Sequence, residues 1–135
     1  MVGAVSNNGV SEADINLKIV LKLQQLLEQS GTEVILTRSD ENAIYDLDKK
    51  TLRDKKNSDI KNRVKIGNNS SADIFVSIHL NKIPQSQYSG WQTFFKDGNE
   101  DSKKLATSIQ NNLNEAMQKE NKRVPLKINN IYIIK

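Results

Sequence analysis

The run Ile74 to His79, which reads IFVSIH, constrains this chain more than any other segment. It is almost wholly apolar and rich in β-branched residues, so as a strand it offers no polar face to water and has to be covered on both sides. Helices supply that cover, and helical segments precede and follow the run. The pattern therefore predicts an α/β fold: a single mixed, largely parallel twisted sheet with helices on both faces. A length of 135 residues suits one core, so residues 1–135 are read as a single domain.

The first helix follows Ser11, where Ile15, Ile19, Val20, Leu23, Leu26 and Leu27 recur at three- and four-residue intervals. Ser11 with Asp14 is the expected capping pair, and Gly31 the left-handed stop. Val34 to Thr37 then reads as a short buried strand, closed by the polar cluster Ser39-Asp40-Glu41-Asn42. From Asp40 to Ser58 the chain is charged and lacks a period, which predicts a surface loop containing at most a helical turn. A second helix is expected from Ser58 or Asp59, with Ile60 and Val64 inward, ending near Asn68-Asn69 and feeding the IFVSIH strand. Pro84 and Gln85-Ser86-Gln87 break regular structure before a strand at Trp91 to Phe95. A third helix from Asp101 places Leu105, Ala106, Ile109, Leu113 and Met117 on one face, and Asn130 to Ile134 reads as a last strand. There is no internal repeat and no low-complexity linker.

Composition narrows the chemistry. The absence of Cys removes disulfides and thiolate metal sites, which leaves one His with Asp and Glu as the strong ligands. A formal charge of +4 suits an anionic partner such as a wall polymer, nucleic acid or lipid surface, but 16 acids are interspersed among 20 bases. Nucleic acid is not the expected partner, because neither an aromatic RNA-binding signature nor an Arg-clustered groove helix is present. No apolar stretch approaches the roughly 20 residues that span a bilayer, and no export signal is expected within the sequence as given. The charged run from Lys49 to Lys56 reads as a solvated face. Trp91, Tyr88, Phe94 and Phe95 read as packing or loop-anchoring residues rather than as a glycan platform.

Two residues stand out for chemistry. His79 closes the most apolar strand, and ligands of open α/β sheets bind beyond the carboxyl ends of strands. The competing reading is a His that merely bonds a loop. Glu12 lies in the first turn of the first helix, where the helix dipole favours a carboxylate whatever the function. Glu12 and His79 are too far apart in sequence to form a metal-ligand motif. Position alone leaves both readings open.

Longer stretches carry a resemblance. The segments GAVSNNGVSEADINLKIVLKLQQLLEQSGTEVILTR (Gly3 to Arg38), IKNRVKIGNNSSADIFVSIHLNKIP (Ile60 to Pro84) and SGWQTFF (Ser89 to Phe95) resemble the catalytic domain of zinc-dependent N-acetylmuramoyl-L-alanine amidases. The most specific element is SIHLN, at Ser77 to Asn81. The charged loop before the second helix and the ending NNIYIIK are most similar to the amidases of spore formers that act on cortex peptidoglycan during sporulation and germination. The resemblance implies a Zn2+ cofactor held by two His and one Glu, with Glu12 matching the Glu ligand and His79 the second His. It implies a peptidoglycan substrate, cut between N-acetylmuramic acid and the L-alanine of the stem peptide. It also implies an extracytoplasmic, cell-envelope location and a protein partner. Arg38 and Asn81 match the family pattern and are candidate substrate contacts. Their competing readings are an Arg paired with a nearby acid and an Asn in a turn.

The sequence departs from the family pattern at both ends. The family's first His ligand lies in a Gly-rich turn that would precede Met1-Val2-Gly3, and its general-base Glu would lie beyond Lys135. The expected domain thus lacks its first strand and its C-terminal strand and helix, and no catalytic base is present. The expectation is a chain inactive alone. The alternative is a non-catalytic remnant that binds peptidoglycan or a partner.

Overall fold

The computed structural model describes residues 9–80 and 90–129. The chain falls into two compact units, Met1–Ile83 and Pro84–Lys135. The described elements run α1 (Glu12–Gln29), α2 (Leu52–Asn69), β1 (Phe94–Lys96), α3 (Glu100–Met117) and β2 (Leu126–Ile128). The class is α/β, as the pattern of apolar segments predicts.

In the first unit α1 occupies the span its periodicity predicts. Ser11 is the N-cap residue, but its side chain makes no capping bond, so the Ser11–Asp14 pair does not form as expected. The acids Glu12 and Asp14 still lie in the first turn, where the helix dipole favours them. The far end closes as a Schellman motif: Gly31 at φ +85 donates to the Glu28 carbonyl at 3.0 Å, and Thr32 N–H donates to the Leu27 carbonyl at 3.0 Å.

α2 begins at Leu52, well before the expected Ser58 or Asp59. The cause is Thr51, whose hydroxyl accepts from Asp54 N–H at 3.1 Å and donates to the Asp54 carboxylate at 2.6 Å, ending the loop early. One side of α2 then grips the preceding segment. The buried Asp59 accepts from Ile44 N–H at 2.8 Å, and the buried Ser58 hydroxyl accepts from Asp46 N–H at 2.8 Å. Asn62 donates to the Ile44 carbonyl. Arg63 pairs with Asp59 at 2.6 Å and donates to the Thr37 hydroxyl at 2.8 Å. The charged stretch that reads as a loop is therefore tied down by a polar lattice. Asn62 and Ser58 also hold the Asp46 carboxyl below its ordinary pKa, by hydrogen bonds to its charged form.

Val34 to Thr37 and Ile74 to His79 are not hydrogen-bonded strands among the described residues. The cover expected for the second run is also incomplete, since Ile74, Phe75 and Val76 are 60%, 45% and 52% exposed. Successive residues point to opposite faces of an extended run, so exposure at three in a row means that neither face is fully covered. Phe75 does rest on α2 at Gly67, where a Cβ would lie 3.0 Å from the ring, so glycine permits this approach.

In the second unit β1 and β2 pair in parallel, with Phe94 opposite Leu126, Phe95 opposite Lys127 and Lys96 opposite Ile128. The connection between them is α3, as parallel pairing requires. Asn99 caps α3 by accepting from Ser102 N–H at 2.9 Å. β1 starts at Phe94 and not at Trp91: the Thr93 carbonyl still accepts from Leu126 N–H of β2, but the Thr93 N–H and the Trp91 carbonyl bond to side chains instead. Gln110 on α3 is 1% exposed; it accepts from Thr93 N–H at 2.8 Å and donates to the carbonyls of Trp91 and Arg123. Asn121 also donates to the Trp91 carbonyl at 2.8 Å, and the Trp91 indole N–H donates to Asn114 at 2.6 Å. Trp91 is thus an anchor, in keeping with its sequence reading. The strand expected at Asn130 to Ile134 lies outside the described residues.

Candidate metal centre

Glu12 is the first residue of α1, where the chain turns into the helix and leaves the carboxylate at its start. Its Oε1 accepts from Leu80 N–H at 3.1 Å and from the Asn16 side-chain amide, one helical turn on, at 3.3 Å. The same oxygen lies 3.3 Å from Nδ1 of His79, a residue 67 positions away in sequence. The fold of the first unit thus brings together the two side chains that sequence reasoning singled out. They differ in exposure: the Glu12 side chain is 16% exposed and that of His79 is 62% exposed. The carboxylate is fixed at the base of the site, and the imidazole stands open to solvent.

The remaining candidates fall as follows. Arg38 donates to the Ala13 carbonyl at 2.7 Å and to the Asp40 carbonyl at 2.8 Å. Its bonds go to backbone carbonyls in place of the paired acid expected of an ordinary surface Arg, and one of them braces the turn that carries Glu12. Asn81, the other substrate-contact candidate, lies outside the described residues. Among the described residues no set of three or more His, Cys, Asp or Glu groups is arranged to hold a metal ion.

Two supporting residues escaped the sequence reading. Asn16 orients the Glu12 carboxylate, and its own amide oxygen is buried without a hydrogen-bond partner. Ser77 places its hydroxyl 3.0 Å from Nε2 of His79. The spacing carried a signal in each case. Residues four apart meet on a helix, and residues two apart share a face of an extended run.

The donor chemistry fits zinc in kind. Zinc takes imidazole nitrogen and carboxylate oxygen, and a site with few protein ligands leaves positions for water and substrate. Glu12 and His79 supply one donor of each type on adjoining atoms. Held only by these two, a cation would be bound weakly, because affinity rises with the number of preformed ligands.

Comparison with known proteins gives a consistent result. A family model described as N-acetylmuramoyl-L-alanine amidase matches residues 2–135. The germination-specific N-acetylmuramoyl-L-alanine amidase of Bacillus subtilis (strain 168) is 30% identical over 132 residues, covering 98% of this chain and 55% of that relative. The chain therefore spans about half the length of that relative. Among solved structures, the CwlD amidase from Clostridioides difficile, in complex with the GerS lipoprotein, superposes with a TM-score of 0.94 at 46% identity, covering 99% of this chain and 69% of that one. The catalytic domain of CwlV, an amidase from Bacillus (Paenibacillus) polymyxa var. colistinus, gives a TM-score of 0.76 at 28% identity, covering 99% and 66%.

Proposed function

The chain belongs to the N-acetylmuramoyl-L-alanine amidase family, and from that premise we propose that it forms the part of a peptidoglycan hydrolase that carries a zinc site, with Glu12 and His79 as ligands. The observation that carries this reading is the 3.3 Å approach of Glu12 Oε1 to His79 Nδ1 across 67 residues of sequence. Bound there, zinc supplies Lewis-acid chemistry, polarising an amide carbonyl and lowering the pKa of a water to about 7. The chain's own residues do the positioning. Leu80 N–H and the Asn16 amide hold the Glu12 carboxylate, and Arg38 fixes the helix turn beneath it. The open face of His79 leaves room for a bulky substrate. The bond broken is the amide between N-acetylmuramic acid and the first L-alanine of the stem peptide. With one His and no Cys in the sequence, and no third ligand among the described residues, turnover by this chain alone is expected to be slow.

The family and the germination-specific relative support action in the cell envelope, on peptidoglycan. A protein partner is part of the proposal, supported by the GerS complex of the CwlD neighbour. No described helix is long and apolar enough to cross a membrane. A second reading is favoured by the two-donor site: a chain that binds peptidoglycan or a partner without cutting it. Incubation with purified peptidoglycan separates the two. Amide hydrolysis frees α-amino groups of L-alanine, in a zinc-dependent manner that Glu12→Gln suppresses. Co-sedimentation with peptidoglycan and no new amino groups at saturating zinc would leave only the binding reading.

A further inference from the structure

The geometry points to Ser77 as a positioning residue, whose hydroxyl sets the His79 ring so that Nδ1 is the nitrogen offered to a divalent cation shared with Glu12. The inference rests on the proposed zinc site and adds which nitrogen serves it and what holds the ring. Both nitrogens of the imidazole are engaged. Nδ1 lies 3.3 Å from Glu12 Oε1, and Nε2 lies 3.0 Å from Ser77 Oγ. The ring is 62% exposed, so packing alone does not fix its orientation, and these two contacts have to.

The two partners differ in what they can do. An ionised carboxylate only accepts hydrogen bonds, whereas a hydroxyl has one donor and two acceptor sites and rotates to use either. Without a cation, the neutral ring is satisfied when Nδ1–H donates to Glu12 and the Ser77 hydroxyl donates to Nε2. Were both side chains to hold a cation, Nδ1 would have to present its lone pair. The ring proton would then sit on Nε2, and Ser77 Oγ would turn from donor to acceptor. A hydroxyl at this position serves both states, and a methyl group serves neither. The Glu12 carboxylate, which only accepts, also takes hydrogen bonds from Leu80 N–H and the Asn16 amide on the same oxygen. Partners of this kind fix the tautomer and orientation of metal-bound imidazoles.

The sequence holds a single His, so nitrogen resonances of a His-labelled chain report this ring alone. At one fixed alkaline pH the metal-free chain should show a protonated Nδ1 and an unprotonated Nε2, and saturating zinc should exchange the pattern, with Nδ1 bound to metal. Ser77→Ala should weaken zinc binding about tenfold, and Ser77→Thr, which keeps the hydroxyl, should stay within about twofold of the native chain. Unfolding midpoints of both variants serve as the control on folding. Zinc bound through Nε2 with the Nδ1 proton retained would overturn this inference while leaving the zinc site in place. Equal affinity in Ser77→Ala and the native chain would overturn the role of Ser77. No response of either nitrogen to zinc would overturn the zinc site itself.

Discussion

Gln110 in the second unit and His79 in the first each join segments that are distant in sequence, yet one is 1% exposed and the other has a 62% exposed side chain. Gln110 satisfies an N–H and two carbonyls in a place water does not reach, so its bonds are part of what holds α3 to the strand pair. His79 bonds Glu12 and Ser77 where water can replace either partner. Buried polar contacts are costly to leave unmade, whereas exposed ones contribute little to stability and remain available to a ligand. The contrast separates a joint that makes the fold from a joint that the fold makes available.

The strongest way to break this comparison is to remove the Glu12–His79 pair. Glu12→Gln combined with His79→Ala should weaken zinc binding by more than about a hundredfold, while the unfolding free energy changes by less than about 1 kcal/mol. A large stability loss, measured by denaturant titration, would place the pair with Gln110 instead. Gln110→Ala should do the opposite. Removing the acceptor of the Thr93 N–H, together with the bonds Gln110 gives to the carbonyls of Trp91 and Arg123, should cost about 3 kcal/mol, with zinc affinity unchanged.

Asp59→Ala sharpens the comparison within the first unit, because Asp59 is buried but makes no contact with the Glu12–His79 pair. Loss of its bonds to Ile44 and Arg63 should cost about 2 kcal/mol and open residues 40–50 to proteolysis. The smallest effect concerns pH. The Asp46 carboxyl has a lowered pKa in the folded chain, through Asn62 and then Ser58. Its contribution is therefore present above the unfolded value of about 3.9 and is lost as pH falls through the lower folded value. Acid unfolding of Asn62→Ala should show a slightly weaker pH dependence in that window.

The parts of this molecule legible in the sequence are those set by local pattern. α1 follows from its apolar periodicity and the Gly31 stop, and α3 from the stripe Leu105 to Met117. The Glu12–His79 convergence followed from resemblance to the amidases, since 67 intervening residues carry no spacing signal. What escaped was polar pairing, some of it local and some between distant segments, which apolar periodicity does not mark. The early start of α2 hinged on a Thr51–Asp54 cap within a stretch dominated by charge. The Asp59–Arg63 lattice and the Gln110 joint pair polar residues with backbone groups that no periodicity marks. Ile74 to Val76 read as covered strand residues because hydrophobicity states what a segment prefers, not what lies beside it.

The central claim is that Glu12 and His79 share a zinc ion. Calorimetric zinc titration of the native chain beside the Glu12→Gln, His79→Ala double variant tests it directly, with both samples shown to be equally folded. The account predicts saturable binding of one zinc per native chain and its loss in the variant. Equal zinc binding by the two would contradict it.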